Sequence, residues 1–109
     1  MNDSPLRVHK LIRRLQAPKY MMRLHAGCLL GQMGAEAKEA VPTLLSLLRS
    51  GEAPDRKLAA WTLGDLGGAA VEATVALQTA AQDSEESVRL LAASALEKIR
   101  AATAPAAAA

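Results

Sequence analysis

Arg23, Arg56 and Arg89 stand 33 residues apart. Leu30, Leu63 and Leu96 keep the same step, as do Met33, Leu66 and Ile99, and the small residues Ala26, Ala59 and Ala92. Four columns in one register are the mark of an internal repeat, and a period of this size belongs to stacked units. Each unit has a first segment in the same register: Leu11, Leu44 and Leu77 form a column, beside Val8, Val41 and Thr74 and beside Leu15, Leu48 and Ala81. The unit is therefore a pair of segments used three times, about the minimum for a stack to hold together. Stacked repeats present extended surfaces more often than enclosed pockets, so the period bears on function as well as on fold.

The segments are helical. Half of the residues are apolar, but the apolar mass is Ala and Leu, with no Phe, one Trp and one Tyr. Small and unbranched side chains favour close-packed helices, whereas strands want β-branched and aromatic residues. Apolar residues recur at helical spacing in six blocks. These run from about Pro5 to Gln16, Lys19 to Met33, Ala37 to Arg49, Asp55 to Leu66, Ala69 to Gln82, and from after Ser84 to about Ala102. Ala17-Pro18 ends the first, because the residue before proline avoids the helical region. Gly34, Ser50-Gly51 and Gly67-Gly68 end the next three, glycine being suited to a helix C-terminal cap. Ser84, with Glu86 or Ser87 nearby, resembles an N-cap arrangement for the last. One domain over residues 5–102 is expected, with repeats at about 5–34, 37–67 and 69–102, a flexible start at 1–4 and a disordered Ala-rich tail at 103–109.

These residues resemble the HEAT-repeat family, specifically the short HEAT-like repeats of the phycobilin-lyase type. The third repeat fits that pattern best, with Asp83, Val88-Arg89, Ala92-Ala93, Ala95-Leu96 and Ile99. The second gives Arg56, Ala59-Ala60, Leu63-Gly64 and Leu66-Gly67, with Asp55 where the pattern has an aliphatic residue. The first gives Met22-Arg23, Ala26-Gly27, Leu30-Gly31 and Met33-Gly34. The resemblance spans about residues 6–100 and implies an all-α, right-handed α-solenoid of three HEAT-like hairpins with about six helices. On function it implies only a class, since the family includes scaffolds, adaptors, inhibitors and lyase subunits.

Projected at 100° per residue with the Leu30 column at the core, Arg23 falls within about 20° of the inward direction. A buried cation needs partners. Arg23, Arg56 and Arg89 are thus expected to form a structural ladder, each donating to carbonyls or to carboxylates of the turns such as Glu52, Asp55, Asp83 or Glu86.

The opposite side of the same helices carries Met21, Leu24, His25, Cys28 and Gln32, then Pro54, Lys57, Leu58, Trp61 and Asp65, then Ser87, Leu90, Leu91, Ser94 and Lys98. These columns vary where the core columns repeat, and the resemblance makes them the concave face. The partner-binding residues expected there are Leu24, His25, Cys28, Lys57, Leu58, Trp61, Asp65, Leu90, Ser94 and Lys98. Trp61, with Leu24 and Leu90, has the make-up of an interface anchor.

The first 25 residues carry six basic side chains against Asp3 alone, a balance of +5, while the remainder is at −3. Arg7, Lys10 and Arg14 read as an outward stripe opposite Val8, Leu11 and Leu15, with Arg13 at its edge. That basic patch is the polar outer face an end repeat needs for solubility, or an electrostatic dock for nucleic acid or an acidic surface. No interleaved aromatic residues support sequence-specific nucleic-acid reading.

Met21, His25, Cys28 and Gln32 share one stripe, but they supply at most three metal ligands and have no second copy, so neither a metal nor any other cofactor is expected. His25 and Cys28 lack an orienting acid and an oxyanion site, so no enzyme activity is expected. Gly64-Asp65-Leu66-Gly67-Gly68 ends a helix, whereas a phosphate cradle opens one. No run of 18 or more apolar residues occurs, so no membrane span is expected. The N-terminus lacks a basic-then-apolar leader and there is one cysteine, both pointing to the cytoplasm. The reading reached is a small adaptor or accessory subunit that binds another protein, with self-association through the C-terminal helices as a further expectation.

Overall fold

The computed structural model describes residues 4–104, and among them there is no strand. The α-helical segments are α1 (Ser4–Arg14), α2 (Tyr20–Met33), α3 (Val41–Ser50), α4 (Ala53–Leu66), α5 (Thr74–Ala80) and α6 (Glu86–Thr103). Two 3-10 segments, Gly34–Ala40 and Gly67–Ala73, run without a break from α2 into α3 and from α4 into α5. The expected count of about six separate helices is corrected accordingly: the described residues form four continuous helical runs, 4–14, 20–50, 53–80 and 86–103.

The joins explain this. Gly34 and Gly67 turn the chain at φ 60° and 59°, a region that a Cβ disfavours. Ala37 and Ala70, again 33 residues apart, carry the kinks at φ −96° and −103°. Between these points the backbone keeps helix-like hydrogen bonding, so residues 35–36 and 68, which fall between the expected repeats, are themselves tight helix. The third position of the glycine column is Arg100, and α6 continues through it to Thr103.

The second helices α2, α4 and α6 pack side by side in one layer. The first helices and the 3-10 segments form the other layer, with α1 against the first 3-10 segment and the two 3-10 segments against each other. The described chain measures 46 × 43 × 16 Å, its short dimension matching two helix layers about 10 Å apart. Between the layers lie Leu15, Leu30, Leu44, Leu63, Leu77, Val8, Val41 and Val88, all fully buried. The column Ala26, Ala59 and Ala92 is buried throughout, because small side chains let the layers approach. Leu96 departs from its column: it is only half-buried, since it lies toward the open end beyond the third repeat.

Neighbouring repeats meet at glycine. A Cβ on Gly27 would lie 2.6 Å from Leu58 Cδ1, and one on Gly64 would lie 2.9 Å from Ala95 Cα. The column Gly31, Gly64 thus faces the next repeat, and its third member is Glu97.

Two boundary expectations are corrected. Ser4 begins α1 instead of belonging to a flexible start, and Thr103 closes α6 instead of opening a disordered tail. The rest of both expected segments, 1–3 and 105–109, lies outside the described residues. The N-cap arrangement around Ser84, Glu86 and Ser87 does not form. Glu85 is the N-cap residue of α6, with no side-chain cap of its own, and Asp83 Oδ1 accepts from the Glu85 N–H at 2.9 Å.

Candidate protein-interaction site

The arginine column is held at the turns. Arg23 donates from Nε and Nη2 to Asp55 Oδ1 and Oδ2 at 2.8 and 3.3 Å, and from Nη1 to the carbonyls of Ala17 and Pro18 at 2.8 and 2.9 Å. Its guanidinium lies 5.6 Å from the Tyr20 ring centroid, which also accounts for the one tyrosine. Arg56 donates to both carboxylate oxygens of Asp83 at 2.8 and 3.0 Å and to the Gly51 carbonyl at 3.0 Å. Among the described residues Arg89 reaches only carbonyls, those of Asp83 and Ser84, at 2.7 and 3.2 Å. Of the acids anticipated as partners, Glu52 and Glu86 are exposed and hydrogen-bond to none of the three arginines. The aspartate at position 55, which breaks the aliphatic column of Met22 and Val88, faces the arginine of the preceding repeat. The turn column that holds Asp83 offers only Ser50 one repeat earlier, so the carboxylate comes from the start of α4 instead.

The hydrogen bonds from Arg56, followed by that from the Glu85 N–H, hold the Asp83 carboxyl below the ordinary carboxylate range, and the same pairing raises Arg56. A carboxylate depressed in the folded state contributes stability above its unfolded pKa, and that contribution is lost as pH falls through the folded value. Thermal unfolding followed from about pH 6 to about pH 2 should therefore show a decline that begins near pH 4. Asp83→Asn should flatten the decline, and an identical pH profile for the variant would remove Asp83 as its source.

Two clefts of about 490 and 610 Å³ open on the first-helix layer. They are one feature repeated, since Leu15, Arg23, Pro42 and Ser46 in the first become Leu48, Arg56, Val75 and Thr79 in the second. In both, the guanidinium is already bonded to a carboxylate. Sequence reasoning missed this pair, although the 33-residue register contained it.

On the second-helix layer, Trp61 is 37% exposed and lines a dent of about 200 Å³ with Tyr20, Leu24, Lys57, Leu58 and Leu91. Leu90 and Met21 stand out further, at 63% and 69% exposed. Ser94, Lys98, Asp65 and His25 are exposed, and Leu24, Cys28 and Lys57 are half-buried. Leu58 is a correction: at 2% exposure it is the floor of the dent, not a surface anchor. Its column turns toward the preceding repeat and packs on Gly27, so His25, one repeat earlier, lies at the N-terminal end of the layer. Asp65 and Lys98 form an ion pair at 3.2 Å, so neither charge stands alone.

The basic residues of α1 also need correction. Arg7, Lys10 and Arg14 line a dent with Leu11 and Leu29, so they flank the apolar stripe instead of opposing it. At 100° per residue Arg7 sits only about 40° around the helix from Leu11. Arg13 is exposed but takes no part in that dent. Among the described residues no group of three His, Cys, Asp or Glu side chains is placed to hold a metal ion, and no helix is long and apolar enough to cross a membrane.

A family profile describing HEAT repeats matches residues 8–97. The chain belongs to the HEAT-repeat family. Comparison with curated proteins returns no match. HEAT repeats are commonly protein-interaction modules and generally act as non-catalytic scaffolds, which gives the two-layer stack a class of work. In HEAT terms, Arg23 and Arg56 bridge successive repeats, and the glycine column lets them approach.

Proposed function

We propose that this HEAT protein is a small cytoplasmic interaction module, an adaptor or an accessory subunit of a larger assembly. In this reading the hairpins stack with right-handed superhelical sense and the face of α2, α4 and α6 is the concave, partner-binding surface. The observation that carries it is Trp61, a rigid aromatic that is 37% exposed in a largely apolar dent with Leu24, Leu58 and Leu91. Such residues supply much of the energy at interfaces. Leu24 lines the same dent, Leu90 adds an exposed apolar side chain on α6, and Lys57 sets a cation beside Trp61, which tunes association by charge. The Arg23, Arg56 and Arg89 ladder keeps the surface in shape without contacting the partner.

The partner is to be isolated by affinity purification from the native cell, and the interaction then measured with purified components. Trp61→Ala should weaken binding by ~2 kcal/mol or more, roughly 30-fold in Kd, with helicity unchanged. A fully helical variant that binds normally would overturn the assignment. Self-association through the C-terminal helices draws support from Val71 and Val75, which are 52% and 72% exposed. Sedimentation at two concentrations tests it, and a single concentration-independent monomer would reject it.

A further inference from the structure

In the second and third repeats one flank of the second helix is covered by the repeat before it. Leu58 and Thr62 lie under Gly27, and Ala95 lies under Gly64. The first repeat has the same flank, with His25 in place of Leu58 and Leu29 in place of Thr62. Among the described residues no repeat covers it, and His25 is exposed. Leu29 and Leu11 form the apolar floor of a dent of about 180 Å³ there, and Arg7, Lys10 and Arg14 form its rim. Its size suits one branched aliphatic side chain.

The rim is electrostatically unspent. Arg7, Lys10 and Arg14 are exposed, and none has an ion-pair partner among the described residues. The neighbouring Glu39 is engaged by His9 at 2.8 Å. The three cations recur at i, i+3 and i+7 and span about 10 Å along α1, the pitch at which a second helix presents side chains from one face.

We propose that this end of the stack docks an acidic amphipathic helix of a protein partner. One aliphatic side chain of that helix sits on Leu11 and Leu29, and its flanking carboxylates pair with Arg7, Lys10 and Arg14. The apolar floor decides between a peptide and a nucleic acid: a phosphate backbone would use the cations alone and leave Leu11 and Leu29 idle. The surface is separate from the Trp61 face, and the proposal stands or falls independently of it.

The test uses the full chain and a labelled 16-residue helical peptide carrying Leu at i and i+4 flanked by Glu, read by fluorescence anisotropy at low salt. A version with Leu replaced by Ala, and a duplex DNA of about 20 base pairs, serve as comparison probes. The Leu peptide should bind with a Kd of roughly 10–100 μM. Arg7→Gln/Lys10→Gln/Arg14→Gln should weaken it at least ~10-fold, the Ala peptide should be weaker by a similar factor, and Trp61→Ala should leave binding unchanged. Equal binding of the Leu and Ala peptides, tighter binding of DNA, or no binding at about 1 mM peptide overturns the proposal. If the triple variant loses helicity, the Leu-against-Ala comparison on the unaltered chain decides alone. A dimer of the free chain that the triple variant dissolves would assign this face to a second copy and also overturn it.

Discussion

Asp55→Ala is expected to lower the folding stability of this chain by ~3 kcal/mol, because removing one partner of a largely desolvated ion pair leaves the other charge stranded. The side chains of Asp55 and Arg23 retain only 10% and 17% of their exposure, and both carboxylate oxygens are bonded. Arg23 would keep the Ala17 and Pro18 carbonyls, so its charge would not be wholly unpartnered and the loss should stay at the lower end of the range for buried pairs. Asp55→Asn should fall between, keeping one acceptor but not the charge. Glu52→Ala and Glu86→Ala, at exposed acids outside the ladder, should change stability by less than about 0.5 kcal/mol. Urea unfolding of the four variants measures this, and an Asp55→Ala protein within about 0.5 kcal/mol of the parent would show that the pairing is decorative.

Gly64→Val should be worse, at ~3 kcal/mol or more. A Cβ at this position would meet Ala95 Cα at 2.9 Å and Ala95 Cβ at 3.0 Å. The obstruction is another helix's backbone, which cannot swing aside, and overpacking of that kind costs roughly 1–3 kcal/mol before the extra methyl groups of valine are added. The better helix propensity of a non-glycine residue returns at most about 1 kcal/mol. Gly34→Ala is the informative control. Its Cβ would meet nothing within 4 Å, so only the strain of a backbone at φ 60° and ψ −128° remains, a nearly glycine-only region costing about 1–3 kcal/mol. If Gly64→Val proves no more destabilising than Gly34→Ala, α4 and α6 are not held as closely as the geometry requires.

The repeat register was readable because the core must present the same side chain to the same neighbour in every unit. Arg23 and Arg56, Ala26 and Ala59, and Leu30 and Leu63 follow from that requirement alone. What escaped was whatever depends on where a unit sits in the stack. Leu58 lies on the open arc of a single-helix wheel, but a wheel knows nothing of the preceding repeat, which covers it through Gly27. Asp55 stands in the sequence both as a departure from the pattern and as one of four candidate carboxylates for the ladder, but which arginine it serves does not follow from the sequence, since its partner is 32 residues earlier and only the packed repeats bring the two together. The 3-10 joins were hidden for a different reason: Ala35 to Ala40 carries no signal that separates tight helix from linker. Of the candidate partner surface, Trp61 and Leu90 could be placed from their columns, whereas the dent that Tyr20, Leu58 and Leu91 build beside Trp61 needs three helices at once.

Glu97 has a consequence beyond its own repeat. A stack whose two ends differ is a head-to-tail object, and any such object whose ends fit can grow into an open filament. At Gly64 the next repeat brings its backbone close, with Ala95 Cα 2.9 Å from where a Cβ would stand, and at Gly31 it brings the Asp65 side chain to 3.1 Å. At the third position the chain offers an exposed glutamate, ion-paired to Arg100. A second molecule that added there in the way the third repeat adds to the second would have to displace that side chain and its ion pair, a cost that works against open-ended growth.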